Sequence, residues 1–290
     1  MSEYILFTDS CADLGPEMLE ELGVDVECLT FNLGGKEYVN WPDGRDISFD
    51  EVYAALRKGA TASTSQVNSD DFTKAFRRHL EAGKDILYLG FSSGLSGTVN
   101  SARIAAEELD PQYPTARVIV IDTLAASLGQ GLLVWHAAQM KKQGKTLDEV
   151  AAWVEENKLK LAHWFTVDDL NFLKRGGRLS GAAALFGTML SIKPVLHVDD
   201  EGHLIAMDKV RGRRQSLMAL VDKMEKTAIE PAGQTVFISH GGCRDEAEIV
   251  AKEIKKRFGT KDIYINYVGP VIGSHSGPGT MALFFLATQR

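Results

Sequence analysis

Three short segments gather the side chains of this 290-residue chain that could do chemistry. Ser63-Thr64-Ser65-Gln66 sets three hydroxyls in a row before a helical pattern. Such a run either caps the helix or binds an anion, and from that segment alone capping is favoured. Ser92-Ser93-Gly94-Leu95-Ser96-Gly97-Thr98 lies between a buried-type strand and a helix start. Its glycines let a ligand approach the backbone, and the free N–H groups and helix dipole there favour an anion. No lysine follows those glycines, so the segment is not a nucleoside-triphosphate loop. Nor does it complete the G-x-S-x-G elbow of serine hydrolases, because Thr98 stands in the last position. The third segment, Ile272-Gly273-Ser274-His275-Ser276-Gly277-Pro278-Gly279, reads as a turn that holds a histidine among glycines and serines. Its imidazole can donate a hydrogen bond to a carboxylate.

The remaining chemistry is weaker. Serines, His275 and the carboxylates Asp9 and Asp122 keep a Ser–His–Asp hydrolase or acyltransferase open, since such sets are recognised by geometry. The seven histidines form no i, i+4 pair, which argues against a metal site. Two basic clusters, Lys174-Arg175-Gly176-Gly177-Arg178 and Lys209-Val210-Arg211-Gly212-Arg213-Arg214, are either solvated surface or a docking patch for an acidic partner.

The elements that must position these residues change character along the chain. Residues 4–8 form a strand that leads to a polar turn at Asp9, and Pro16 opens a helix. A strand is expected over 26–31, turning at Gly34-Gly35 into 37–39. Ser48 and Glu51 form a capping box for a helix to Lys58, and Ser69 is expected to cap the next. Strands at 85–91 and 117–121 alternate with helices at 96–109 and 125–143, a parallel-sheet pattern. Ligands of such sheets bind outside the carboxyl ends of the strands, where the Asp9, Ser92 and Asp122 loops lie. After an amphipathic helix at 146–158 the elements shorten. A helix is expected at 182–190 and a hairpin from 195–198 to 204–210. Further strands fall at 235–239 and 263–267, and further helices at 213–226 and 245–258. The expectation is a Rossmann-like parallel α/β domain over 1–160 and an α+β domain over 161–290, with a ligand between them.

Composition narrows the classes. Lysine and arginine number 32 against 39 acidic residues, a net charge of −7, which disfavours nucleic acid as the main partner. Three widely spaced cysteines indicate neither a disulfide framework nor a zinc site. No basic leader opens the chain and no apolar run approaches the roughly 18 residues of a membrane span, so a cytoplasmic location without integral membrane association is expected.

Taken together, these segments resemble the DegV family along essentially the whole chain. The resemblance is carried by Thr8-Asp9-Ser10 with Asp13-Leu14, Thr64-Ser65-Gln66, the 92–98 segment, and Asp122-Thr123. It continues in Gly176-Gly177-Arg178-Leu179-Ser180, Lys193-Pro194, Lys209-Val210-Arg211, and His275 with Gly277-Pro278-Gly279. Val67 and Asn68 stand where that family usually has proline and a small residue. The resemblance implies a carrier of one long-chain fatty acid, of the FakB type, with no catalysis or cofactor of its own. A separate ATP-dependent fatty acid kinase subunit would phosphorylate the bound carboxylate for phospholipid synthesis. It further implies that Thr64, Ser65, Ser92, Ser93, Gly94, Ser96 and His275 bind the ligand, and that Arg178 and Arg211 dock the kinase. A tail of roughly 15 methylenes, fully buried, gains on the order of 12 kcal/mol before binding entropy is subtracted.

Overall fold

The computed structural model describes residues 3–179 and 191–290. The expected helix at 182–190 and Ser180 lie outside the described residues. The first half runs β1 (Tyr4–Asp9), α1 (Pro16–Leu22), β2 (Val24–Glu27), β3 (Thr30–Leu33), β4 (Lys36–Val39), α2 (Phe49–Arg57), β5 (Ala62–Ser65) and α3 (Ser69–Leu80). It continues with β6 (Asp85–Gly90), α4 (Thr98–Leu109), β7 (Val118–Asp122), α5 (Leu128–Lys142) and α6 (Leu147–Asn157). The second half runs β8 (Leu161–Thr166), α7 (Asn171–Arg175), β9 (Ile192–Val198), β10 (Leu204–Arg211) and α8 (Arg213–Thr227). It ends with β11 (Val236–His240), α9 (Arg244–Phe258), β12 (Ile263–Tyr267), α10 (Pro270–Ser276) and β13 (Met281–Leu286).

These strands make a mixed α/β fold with three sheets. A parallel sheet has the order β2-β1-β6-β7, so the chain leaves β1 for opposite sides and opens a crevice at the carboxyl ends of β1 and β6. A small antiparallel sheet, β4-β3-β5, carries the hydroxyl run. The mixed sheet β10-β9-β8-β13-β11-β12 is built wholly from residues after 160. Helix α5 lies between the parallel and mixed sheets. Its buried residues Leu128, Leu132 and Leu133 share one core with Leu87 and Leu89 of β6 and Phe237 and Phe284 of the mixed sheet. The outer face of the mixed sheet packs on α8 and α9 through Trp164, Leu220, Val250 and Phe285.

Local chemistry explains the element ends. Ser48 and Glu51 cap α2 reciprocally, as expected, and Thr146 with Glu149 does the same for α6. Gly34 and Gly35 both take positive φ in the β3–β4 hairpin turn, which twists with its strands.

Four expectations change. The strand expected over 26–31 is two strands in different sheets. The break falls at Cys28-Leu29, where Leu29 N–H donates to Ser10 Oγ at 3.1 Å. The cap of α3 is Asn68, whose side chain accepts from Asp71 N–H, and not Ser69. The 63–65 hydroxyls cap nothing: they lie in β5, paired with β3. His275 sits at the end of α10, not in a turn, with Pro270 in that helix's first turn.

Candidate functional site

Four elements converge on one end of a cavity of about 400 Å³ between the two large sheets. Strand β5 alternates, so Thr64 faces inward, half-buried, opposite Phe31 of β3. Helix α10 delivers His275, and the two side chains meet with Thr64 Oγ1 2.8 Å from His275 Nε2. The loop before α4 brings Ser96 and Gly97 to the same wall. Gly97 caps α4 without a side-chain bond, and Ser96 Oγ accepts from Thr98 N–H at 3.3 Å, so the positive end of that helix dipole points at this wall. Arg178 completes the end. Its Nε donates to Leu95 O at 3.3 Å and its Nη1 to Gly176 O, which ties the turn after α7 to the loop after β6.

The rest of the wall is largely apolar, including Phe91, Phe165, Leu173, Leu204, Val271 and Phe284. The volume and character are those of a small-molecule site. A second cleft of about 340 Å³ lies on the other side of the polar end, and Thr64, Arg178 and His275 line both spaces. These three residues therefore form the boundary between an apolar cavity and a more polar cleft that also carries Ser63 and Arg175.

The electrostatics suit an anion held by neutral donors beside a cation. Burial first, and then the Arg178 guanidinium, push the His275 imidazole down to about 4, so it is neutral near pH 7. Close packing fixes the ring: a Cβ on Gly176 would stand 2.4 Å from His275 Nδ1.

The structure sorts the expected site residues into two groups. Thr64, Ser65, Ser96 and His275 all line the cavity. Ser92, Ser93 and Gly94 are not among its lining residues. Ser92 is fully buried and donates to Gly202 O at 2.9 Å, while Gly94 N–H donates back to Ser92 Oγ at 3.2 Å. Ser93 is exposed and its N–H donates to Asp122 Oδ1 at 3.2 Å. This turn is clamped onto the β9–β10 hairpin loop, and a Cβ on Gly94 would stand 2.8 Å from the Gly202 backbone. The two arginines also part: Arg211 is exposed at the end of β10, whereas Arg178 is at the cavity boundary. Asp9, a candidate triad acid, is buried and accepts from Tyr88 OH at 2.7 Å and Phe91 N–H at 2.9 Å. Burial raises its carboxyl above the ordinary range.

Residues without a sequence signal also line the cavity. Ser276 is 4% exposed, and its hydroxyl has no hydrogen-bond partner among the described residues. His163, Ser127 and Ser239 lie in the wall as well. His163 is hidden in the run Leu161-Ala162-His163-Trp164-Phe165-Thr166, which reads only as a buried segment.

Comparison with known proteins gives one consistent result. The model of the DegV family, described as uncharacterised protein, matches residues 4–288. A DegV domain-containing protein of Clostridium perfringens is 50% identical over 290 residues, spanning 100% of this chain and 99% of the relative. Among solved structures, a fatty-acid-binding DegV family protein from Thermus thermophilus has a TM-score of 0.88 at 34% identity, covering 99% of this chain and 100% of that one. DegV of Bacillus subtilis, a fatty acid binding protein, has a TM-score of 0.86 at 26% identity with the same coverage.

Proposed function

The chain belongs to the DegV family, and on that premise we propose that its cavity holds one long-chain fatty acid and presents the carboxylate to a separate ATP-dependent fatty acid kinase subunit in the cytoplasm. The observation that carries the reading is the boundary position of Thr64 and His275, with an apolar cavity on one side and a cleft on the other. A tail in the cavity supplies affinity through buried methylenes. A carboxylate at the boundary accepts from the Thr64 hydroxyl, with Ser65 and Ser96 beside it and His275 behind. Ser92, Ser93 and Gly94 serve the same loop by fixing its shape against Gly202. The cleft leaves the carboxylate reachable from outside, where Arg178 stands and where, with the exposed Arg211, a kinase surface docks. The acyl phosphate so formed feeds phospholipid synthesis.

Organic extraction of the purified protein followed by mass spectrometry tests the binding step. About one long-chain fatty acid per chain is expected, and protein that is empty after expression in lipid-replete cells overturns it. Addition of a fatty acid kinase subunit and ATP tests presentation. Acyl phosphate trapped as the hydroxamate is expected only when the loaded protein is present.

A further inference from the structure

The cavity meets the polar cleft at one end and is shut at the other, and β13 runs between the two ends. Thr280 just before that strand, then Ala282 and Phe284 within it, are alternate residues that all line the cavity. Thr280 Oγ1 donates to Gly277 O at 2.7 Å, which ties this row to the end of α10, two residues past His275. From Thr280 to Phe284 the chain advances about 13 Å at the usual rise of a strand. A tail whose carboxylate lies at Thr64 and His275 follows β13 inward.

The start of α5 shuts the far end, because it presses on three neighbouring strands of the mixed sheet. On β8, His163 Nε2 accepts the Ala126 N–H at 3.1 Å. On β11, Ser239 Oγ lies 3.0 Å from Ser127 Oγ. On β13, between them, a Cβ on Gly129 would stand 2.9 Å from Phe284 Cδ1 and would collide with His163 Nε2. Only glycine at 129 lets helix and sheet meet this closely. His163 and Phe284 are cross-strand neighbours with ring centres 4.7 Å apart. Behind this wall Leu128, Leu132 and Phe237 belong to the packed core.

Just inside the wall the floor is small. Ala282 is in register with Phe165 of β8 and Ser239 of β11, so the three form one row across the sheet. The wall meets this row at Ser239, and it meets the next row on the same face at Phe284. Ala282 fills the corner between them with a single methyl group.

We infer that Ala282 sets how long an acyl tail the cavity takes: the last carbons of the tail lie over its methyl group, and a larger side chain there stops the tail earlier. This assignment rests on the fatty-acid reading above and makes the ligand an acyl chain of limited length, ended by the α5 wall.

Binding of straight-chain saturated acids from laurate to arachidate, measured on delipidated full-length protein, tests it. In the native protein affinity is expected to rise about fourfold per methylene, the worth of one buried CH2, up to a limiting length and then to stop rising. Ala282→Val and Ala282→Leu should move that limit down by about two and about three methylenes, the carbons each substitution adds to the corner. Ala282→Leu should then bind the longest acid favoured by the native protein on the order of fiftyfold more weakly. Valine suits a strand, so Ala282→Val carries the test if the bulkier variant does not fold. Affinity that climbs through the whole series in the native protein overturns the closed end. A limit that stays at the same length in the folded variants overturns the role of Ala282. Failure of the native protein to bind any acid of the series would instead sink the fatty-acid reading, a separate readout in the same assay.

Discussion

Thr64→Val separates the headgroup from the tail of the proposed ligand. Valine keeps the shape and the strand preference of threonine, and the β5–β3 pairing opposite Phe31 uses only main-chain atoms. The substitution therefore removes one hydroxyl and little else. In the Nε2–H tautomer of the neutral ring, the 2.8 Å bond is a relay: His275 Nε2–H donates to Thr64 Oγ1, and the Thr64 hydroxyl proton is left for a carboxylate. A hydrogen bond to a charged acceptor contributes about 1.5–3 kcal/mol, so Thr64→Val should weaken binding by roughly 10- to 150-fold. His275→Leu takes away only the bond behind the donor, a neutral pair worth about 0.5–1.5 kcal/mol, or roughly two- to twelvefold.

Titration calorimetry with oleate, after delipidation, reads both variants. The heat-capacity change reports buried apolar surface and should be the same in native and variant proteins, because the tail is untouched. The relay fixes an order, Thr64→Val more damaging than His275→Leu. The reverse order would show that the histidine, not the threonine, touches the carboxylate. Equal affinity in all three proteins would show that the carboxylate lies elsewhere.

Three further outcomes follow from the same geometry. Gly176→Ala puts a methyl group 2.4 Å from His275 Nδ1 at a backbone position any residue tolerates, so it should displace the ring and weaken oleate binding about as much as His275→Leu, with chemical unfolding little changed. Burial raises the Asp13 carboxyl from 3.8 to about 7. Between those values the unfolded chain has released its proton while the fold keeps it, so stability falls as pH rises through that window and levels off above it. The size of the fall, about 4 kcal/mol, should vanish from the pH dependence of urea unfolding in Asp13→Asn, and an unchanged native-minus-variant difference would refute it. Charge reversal at exposed Arg211 should lower kinase-dependent acyl phosphate formation while lipid retention holds. The same change at Arg178 should lower both, and loss of retention in the Arg211 variant would move that residue into the site.

What could be read from the residues follows from where their physics is local. The Ser48–Glu51 capping box, the Gly34-Gly35 hairpin and the alternating half of the chain depend on neighbours in sequence, and they appear where expected. The misreadings are tertiary. Nothing local marks Cys28-Leu29 as a change of sheet, because the partner that fixes it, Ser10, is distant in sequence. The hydroxyl run at 63–65 suits a cap and an edge strand equally, and pairing with β3 decides between them. Strands β8 and β13 are buried throughout most of their length, so neither alternates and neither could be told from a helix segment. At the site, the types were legible and the directions were not. Thr64, Ser65, Ser96 and His275 converge, but Ser92 turns away toward Gly202, a partner that only the fold supplies. Arg178, in a cluster read as solvated surface or a docking patch, is carried to the cavity boundary by its bonds to Leu95 and Gly176.

The state of His275 also separates carrier from catalyst. A serine hydrolase needs a histidine that takes a proton from its nucleophile near neutral pH, which calls for a conjugate acid near the working pH and a carboxylate behind the ring. Here the ring pairs with a threonine, Arg178 stands where it opposes protonation, and burial adds to the effect, giving about 4. The candidate acids are spent elsewhere: Asp9 on Tyr88 and Phe91, Asp122 on Ser93 and Leu124. Each of these features weakens a general base. Two of them also favour holding an anion, since a neutral donor and a nearby cation stabilise a carboxylate without taking up a proton. The arrangement that makes His275 a poor base thus suits it to hold a carboxylate in its ionised form, as the proposed carrier role requires.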